Sequence, residues 1–293
     1  MIIQEGGHIG QGIYLLGTTE NPIYLMGANH EWTLIEGGLI STTDIVLEQL
    51  KNLNISLSDI KHWIITHCHF DHCGLLETIY PKLPSVKVYA SAEAIEAFQN
   101  PKYLRQIRKY NEFVVPNLAL ISQINLTEIP FVTIENGQYV SLGEEVLEVI
   151  KTAGHSPCSL SFWNQKKGVL FVSDALGELR NNYEFFPLAF QSLEIFRQSI
   201  KRLAQYDAQI VALGHNGVLT QNFAKNACTQ ALDGLEAFYN QAENLHKQGL
   251  SLEQAAQHLS GILYPHSANF VPKELHYFSM VRLLNNLTYE AIY

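Results

Sequence analysis

The sequence predicts a mixed α/β (α+β) fold, with two β-sheets packed face to face, helices outside them, and a C-terminal helical extension. Three observations carry this expectation. Two strand-rich blocks are separated by a helical run, several apolar strands end in titratable residues, and beyond Gly217 the pattern reads as helical throughout. The chain's 293 residues are long for one ordinary domain, so residues 1–217 are expected to form the α/β part and 218–293 a helical segment.

Extended segments open the chain at 12–16, 23–26 and 32–36, set off by Gly-rich or Asn-Pro punctuation that closes hairpins. A helix follows. Ser41, Thr42, Thr43 and Asp44 are its cap candidates, and Ile45, Leu47, Leu50 and Leu53 form a rough apolar face. Residues 62–66 read as a buried strand, 74–79 as a short helix and 86–89 as another strand. The stretch 91–122 reads as helical and overhanging the core, interrupted by Pro101 and Pro116. Strands are expected again at 131–134, 138–141, 146–151, 160–163 and 168–173, then a helix at 193–204 and a strand at 209–213. Helices at 223–248, 252–259 and 273–287 complete the chain.

Composition narrows the function classes. Only 16% of residues are Asp, Glu, Lys or Arg, below the roughly 25% of an average soluble protein, which favours an oligomer such as a homodimer. The net charge of -9 and the lack of a basic run speak against nucleic acid. The N-terminus lacks the basic-then-apolar pattern of an export signal, and no apolar stretch approaches the ~20 residues that cross a bilayer. The expectation is a soluble cytoplasmic protein with no membrane partner and a small-molecule substrate. Four cysteines in a chain this long make no disulfide framework and are expected as free thiols.

The chemistry concentrates in Thr66-His67-Cys68-His69-Phe70-Asp71-His72-Cys73, directly after the apolar run Trp63-Ile64-Ile65. On a helix His67 and His69 would lie on roughly opposite sides, whereas an extended chain puts them on one face. The turn at Gly74 can then swing His72 to a neighbouring position, so one loop could feed two adjacent metal ions. Three further groups sit just past apolar strands: His155, Asp174 and His215. If those strands run the same way, five imidazoles and two carboxylates meet at one edge. Without cations such a cluster would bury many unsatisfied polar groups. The competing reading, unrelated turn histidines and capping aspartates, would have to explain seven residues in matching contexts. Cys68 and Cys73 read as small buried residues rather than ligands, and His8, His30, His62, His246, His258 and His266 as surface or capping groups.

The set His-x-His-x-Asp-His at 67–72, with later His155, Asp174 and His215, resembles the metallo-β-lactamase superfamily, in particular its glyoxalase II-like dinuclear hydrolases. The resemblance implies a metallo-β-lactamase αββα sandwich over residues 1–217. It also implies two divalent metal ions, with His67, His69 and His155 on one, Asp71, His72 and His215 on the other, and Asp174 bridging. Residues 69–76, 81–84, 173–178 and 274–280 are further similar to the quinolone-signal response thioesterases, which act on 2-aminobenzoylacetyl-CoA. That likeness implies that the helical tail covers the active site and that Phe70, Phe190, Ser267, Phe270, His276 and Ser279 line the substrate pocket. Phe70 departs from it, because the relatives carry Tyr there. A regulatory protein partner is implied as well. Iron follows from these thioesterases, zinc from the wider superfamily, and manganese also suits such ligands.

The implied reaction is hydrolysis of an acyl-CoA-like thioester by metal-bound hydroxide, with Asp71 and Asp174 as the catalytic carboxylates. A thiol leaving group, with a pKa near roughly 8.5, departs without a dedicated general acid. Lactone or phosphodiester hydrolysis is the enzymatic alternative, and a regulatory binding module with secondary hydrolase activity the non-enzymatic one. Tyr183, Phe185, Phe186 and Phe190 form an aromatic-rich loop that fits either an acyl or aryl site or ordinary core packing.

Overall fold

The structure is a computed structural model that describes residues 1–83, 85–115, 125–180, 183–266 and 271–290. The first half supplies β1 (Ile2–Ile3), β2 (Gly7–Gly10), β3 (Ile13–Gly17), β4 (Pro22–Ala28), β5 (Glu31–Ile35), α1 (Thr43–Asn52), β6 (Ile60–Ile64) and β7 (Lys87–Ala90). Helices α2 (Ala92–Gln99) and α3 (Pro101–Val114) then lead to β8 (Val132–Thr133). The second half supplies β9 (Tyr139–Leu142), β10 (Glu145–Lys151), β11 (Leu160–Asn164), β12 (Val169–Ser173) and a small hairpin, β13 (Glu178–Leu179) with β14 (Phe185–Phe186). Helix α4 (Leu193–Leu203), β15 (Ile210–Leu213), β16 (Val218–Thr220), α5 (Asn222–Lys247), α6 (Leu252–Leu263) and α7 (Lys273–Glu290) follow.

Strands β2 to β8 form one sheet in sequence order, and β1-β16-β15-β12-β11-β10-β9 form the other. The faces they turn toward each other bury Ile13, Leu15, Tyr24, Ile64, Phe162, Phe171 and Ala212 in a central layer. Apolar residues of α1, α2 and α3 close the outer face of the first sheet, and those of α4 to α7 close that of the second. Four layers therefore stack as helix, sheet, sheet, helix.

Several local readings need correction. Strands β1 and β2 precede the first expected strand; β1 is only two residues long and pairs with β16, so its signal lies in a distant partner. The chain is not helical directly after Gly217, because Val218–Thr220 pairs antiparallel with β15. The short helix expected at 74–79 is a 3₁₀ helix that ends at Glu77, and β13–β14 replaces an expected loop. The run from 91 splits at Asn100, whose Oδ1 accepts from the backbone N–H of Lys102 (2.9 Å) and Tyr103 (3.3 Å), while Pro101 starts α3. The part of that run at 116–122 lies outside the described residues. His62 is buried, not a surface group, with Nδ1 3.0 Å from the Tyr89 hydroxyl. Among the described residues no helix is long and apolar enough to cross a membrane.

Direction is what positions the site. Strand β10 is antiparallel to β11, β11 is antiparallel to β12, and β12 is parallel to β15, so β10, β12 and β15 run the same way. Their carboxyl ends share one rim. The loop after β6 reaches that rim from the facing sheet, where the Leu160 N–H donates to Thr66 O at 3.0 Å.

Candidate metal centre

All seven expected residues meet on this rim. The ligand-type atoms of His67, His69, His155 and Asp174 lie within 4.8 Å of one another, and so do those of Asp71, His72 and His215. The Asp174 carboxylate touches both groups. Its Oδ2 is 3.1 Å from His155 Nε2 and 3.4 Å from His72 Nε2, and its Oδ1 is 3.4 Å from His215 Nε2. Asp71 Oδ2 is 3.5 Å from His72 Nε2 and 3.6 Å from His215 Nε2.

The outward-facing ring nitrogens explain why the inward ones point where they do. His155 Nδ1–H donates to Leu188 O at 2.8 Å and His215 Nδ1–H to Glu20 O at 2.7 Å; a carbonyl can only accept, so each ring keeps its Nδ1 proton outward and turns Nε2 toward the centre. His72 Nδ1 is 2.9 Å from Glu36 Oε2, and Thr66 Oγ1 donates to the same oxygen at 2.8 Å while standing 3.1 Å from His67 Nδ1. Glu36 thus orients His72 directly and His67 through Thr66. His69 instead presents Nδ1, which lies 2.8 Å from His155 Nε2 and 3.2 Å from His67 Nε2.

Imidazole nitrogens facing one another at such distances, around an Asp174 Oδ1 that accepts no hydrogen bond from the described residues, form a donor set that a cation would satisfy. Burial holds His69 down to about 4, His155 to about 3 and His67 well below its usual value, which leaves three neutral imidazoles. Burial also pulls on His72 and His215, but Asp174 and Asp71 outweigh it, and the two rise, His215 to about 9. Burial would raise Asp174, yet His72 and His215 hold it well below the ordinary carboxylate range. The donor set, the tautomers and the orphaned oxygen all fit metal binding.

Two backbone features make room. Ser173 holds φ 49° and ψ −129°, a region that L-residues rarely occupy, and this turns Asp174 off the end of β12. At Gly214 an added Cβ would lie 2.2 Å from Asp174 Oδ1, so any larger residue before His215 displaces the central carboxylate.

The centre opens into a cavity of about 480 Å³. Phe70, Phe190, His276 and Ser279 line it, whereas Ser267 and Phe270 lie outside the described residues. The aromatic loop divides between its two readings: Phe190 packs 5.4 Å from His155 and Phe186 reaches the cavity, but Phe185 is core and Tyr183 is exposed. Cys68 and Cys73 are buried and in neither ligand group; Cys68 Sγ instead stands 3.2 Å from Cys158 Sγ, and none of the four cysteines is in a disulfide. Sequence reasoning missed Glu36, the α3 tyrosines Tyr103 and Tyr110, and the arginines Arg180 and Arg282 on the cavity wall. Glu36 carried a signal, a lone acid ending an apolar strand. The others depend on how α3, β13 and α7 fold over the rim.

Comparison with known proteins agrees with this picture. The family profile of the metallo-beta-lactamase superfamily matches residues 16–215. The chain is 27% identical over 205 residues to the uncharacterized protein YobT of Bacillus subtilis (strain 168), covering 67% of this chain and 83% of that one. It is likewise 27% identical over 222 residues to an N-acyl homoserine lactonase of Bacillus cereus, covering 69% and 80%. A metallo-beta-lactamase family protein from Thermus thermophilus superposes with a TM-score of 0.67 at 20% identity, over 97% of this chain and 95% of that one.

Proposed function

Because the chain belongs to the metallo-beta-lactamase superfamily, we propose that it is a metal-dependent hydrolase whose substrate is an acyl thioester. The observation that carries the proposal is the convergence of His67, His69, Asp71, His72, His155, Asp174 and His215 from four separate loops at the mouth of a cavity. His67, His69 and His155 would hold one divalent ion, Asp71, His72 and His215 a second, and Asp174 would join them. Bound there, such ions supply water of lowered pKa and an electrophile for a carbonyl.

The chain's own residues do the rest. Asp71, with Oδ2 beside both imidazoles of the second group, is placed to orient the attacking water and take its proton. Asp174 stays ionised through the reaction because its carboxyl is held so low. Phe70, Leu188 and Phe190 form an apolar wall that receives the acyl part and excludes bulk water from the rim. A thiolate can leave unassisted, so the proposed mechanism needs no dedicated acid.

Lactone hydrolysis is the second reading, favoured by the similarity to N-acyl homoserine lactonases. A lactone and a thioester both present an acyl carbonyl, and the cavity admits either. Turnover of an acyl thioester, an N-acyl homoserine lactone and a phosphodiester by metal-loaded protein separates them. The proposal expects the thioester to be cleaved fastest; fast lactone or phosphodiester turnover with an inert thioester would overturn it.

A further inference from the structure

Past the metal-ligand set, the cavity wall carries polar atoms that no described protein group satisfies. The Arg180 side chain is only 8% exposed, yet its Nε and Nη2 make no hydrogen bond to the described residues. Those two nitrogens form one edge of the guanidinium, the fork that matches the two oxygens of a carboxylate. The plane is held in place: Cζ sits 3.9 Å over the Phe186 ring, and Nη2 is 3.7 Å from Glu178 Oε2, near enough for charge pairing but past hydrogen-bond length. Beside it on α7, His276 is 5% exposed and its Nε2 also lacks a partner among the described residues. Its Nδ1 is 2.9 Å from the Ser260 hydroxyl, which can donate or accept, so Nε2 is free to be the protonated nitrogen. Both side chains line the same cavity as the metal groups, and so does Arg282.

Buried donors without a protein partner cost free energy, and a fixed guanidinium fork is a costly one to leave unmatched. From this geometry we infer that Arg180 and His276 form a carboxylate-binding subsite, so that the substrate carries an acid group on the acyl part remote from the scissile carbonyl. The inference rests on the hydrolase reading for the word substrate, but not for the site. Glu178 lines the cavity next to Arg180, and Arg282, whose Nε donates to Phe190 O at 2.8 Å, adds a second guanidinium to the lining.

The test uses metal-loaded protein and two thioesters of N-acetylcysteamine, one glutaryl and one bearing the terminal amide of the same length. The subsite predicts a glutaryl preference of about tenfold or more in kcat/KM, expressed mainly in KM. Arg180→Gln should remove the preference, and Arg180→Lys, which keeps the charge but loses the fork, should retain part of it. Equal use of the two thioesters by the wild type, or a preference that survives in a folded Arg180→Gln variant, overturns the inference. If neither thioester is cleaved, the thioesterase reading fails, and calorimetry with glutarate and glutaramate decides the subsite separately. Both ligands offer one carboxylate to the metals, so tighter glutarate binding that disappears in Arg180→Gln supports the inference, and equal binding of the two ligands to the wild type overturns it.

Discussion

At the scale of single residues, Asp174 and Glu36 hold the centre in different ways. Asp174 reaches both groups of nitrogens, so Asp174→Asn, which exchanges one carboxylate oxygen for an NH₂, should reduce turnover at least about 100-fold and lower metal content. Elemental analysis with a hydrolysis assay checks this; unchanged metal content would contradict it. Glu36 orients His72 and His67 from behind, so Glu36→Gln should weaken metal affinity by roughly 10- to 100-fold without removing a ligand. Competition with a chromophoric chelator measures that loss. Protonation adds a third expectation. His215 rises to about 9 in the metal-free protein because Asp174 and Asp71 overcome the opposing pull of burial. A proton therefore occupies it at neutral pH, and metal must displace that proton. Affinity should rise with pH from neutrality through about 9, with proton release on loading at pH 7. The same raised value stabilises the metal-free fold below the unfolded pKa and ceases to do so as pH rises through about 9. Calorimetry in buffers of different ionisation enthalpy reads the release, and pH-independent affinity between about 6 and 9 would contradict it.

At the scale of elements, the rim is built by strand direction and by turns that tolerate close approach. Gly154, one residue before His155, has φ +120°, and a Cβ there would lie 2.4 Å from the backbone N and Cα of Phe196 on α4. Neither backbone atom can yield cheaply. Gly154→Ala should cost about 3 kcal/mol, a Tm drop of roughly 6–12 °C by thermal denaturation. A change within about 1 or 2 °C would show that the turn is softer than this packing allows. The seven metal-type residues were legible in the sequence because each follows an apolar strand and the pattern of types is specific. The cavity wall was less so. His276 and Ser279 are recognisable by spacing on α7, but Arg180 follows a two-residue strand whose partner, β14, has no periodicity of its own. Strands β1 and β16 were hidden for the same reason, since a two- or three-residue strand is defined by what it pairs with. Their partners lie at opposite ends of the α/β part, Ile2 against Leu219 and Ile3 against Val218.

At the scale of the whole molecule, the two sheets bring loops from distant parts of the chain to a common rim. Their buried faces form a single apolar layer, while the rim carries the ligand-type nitrogens and an Asp174 oxygen that no described residue satisfies and a cation would. Metal should therefore stabilise the fold as well as activate it, and a chelator should lower Tm while leaving the helix content of the folded protein intact. The helices of the C-terminal part add the second half of the site, since α7 closes the cavity that opens from the rim. The most direct measurement is the metal content of the purified, folded protein after equilibration with zinc, iron or manganese and removal of loosely held ion. About two ions per chain, falling when His67 or His215 is replaced by Ala, is the result expected for this donor set. A folded protein that retains no ion in stoichiometric amount would contradict the account.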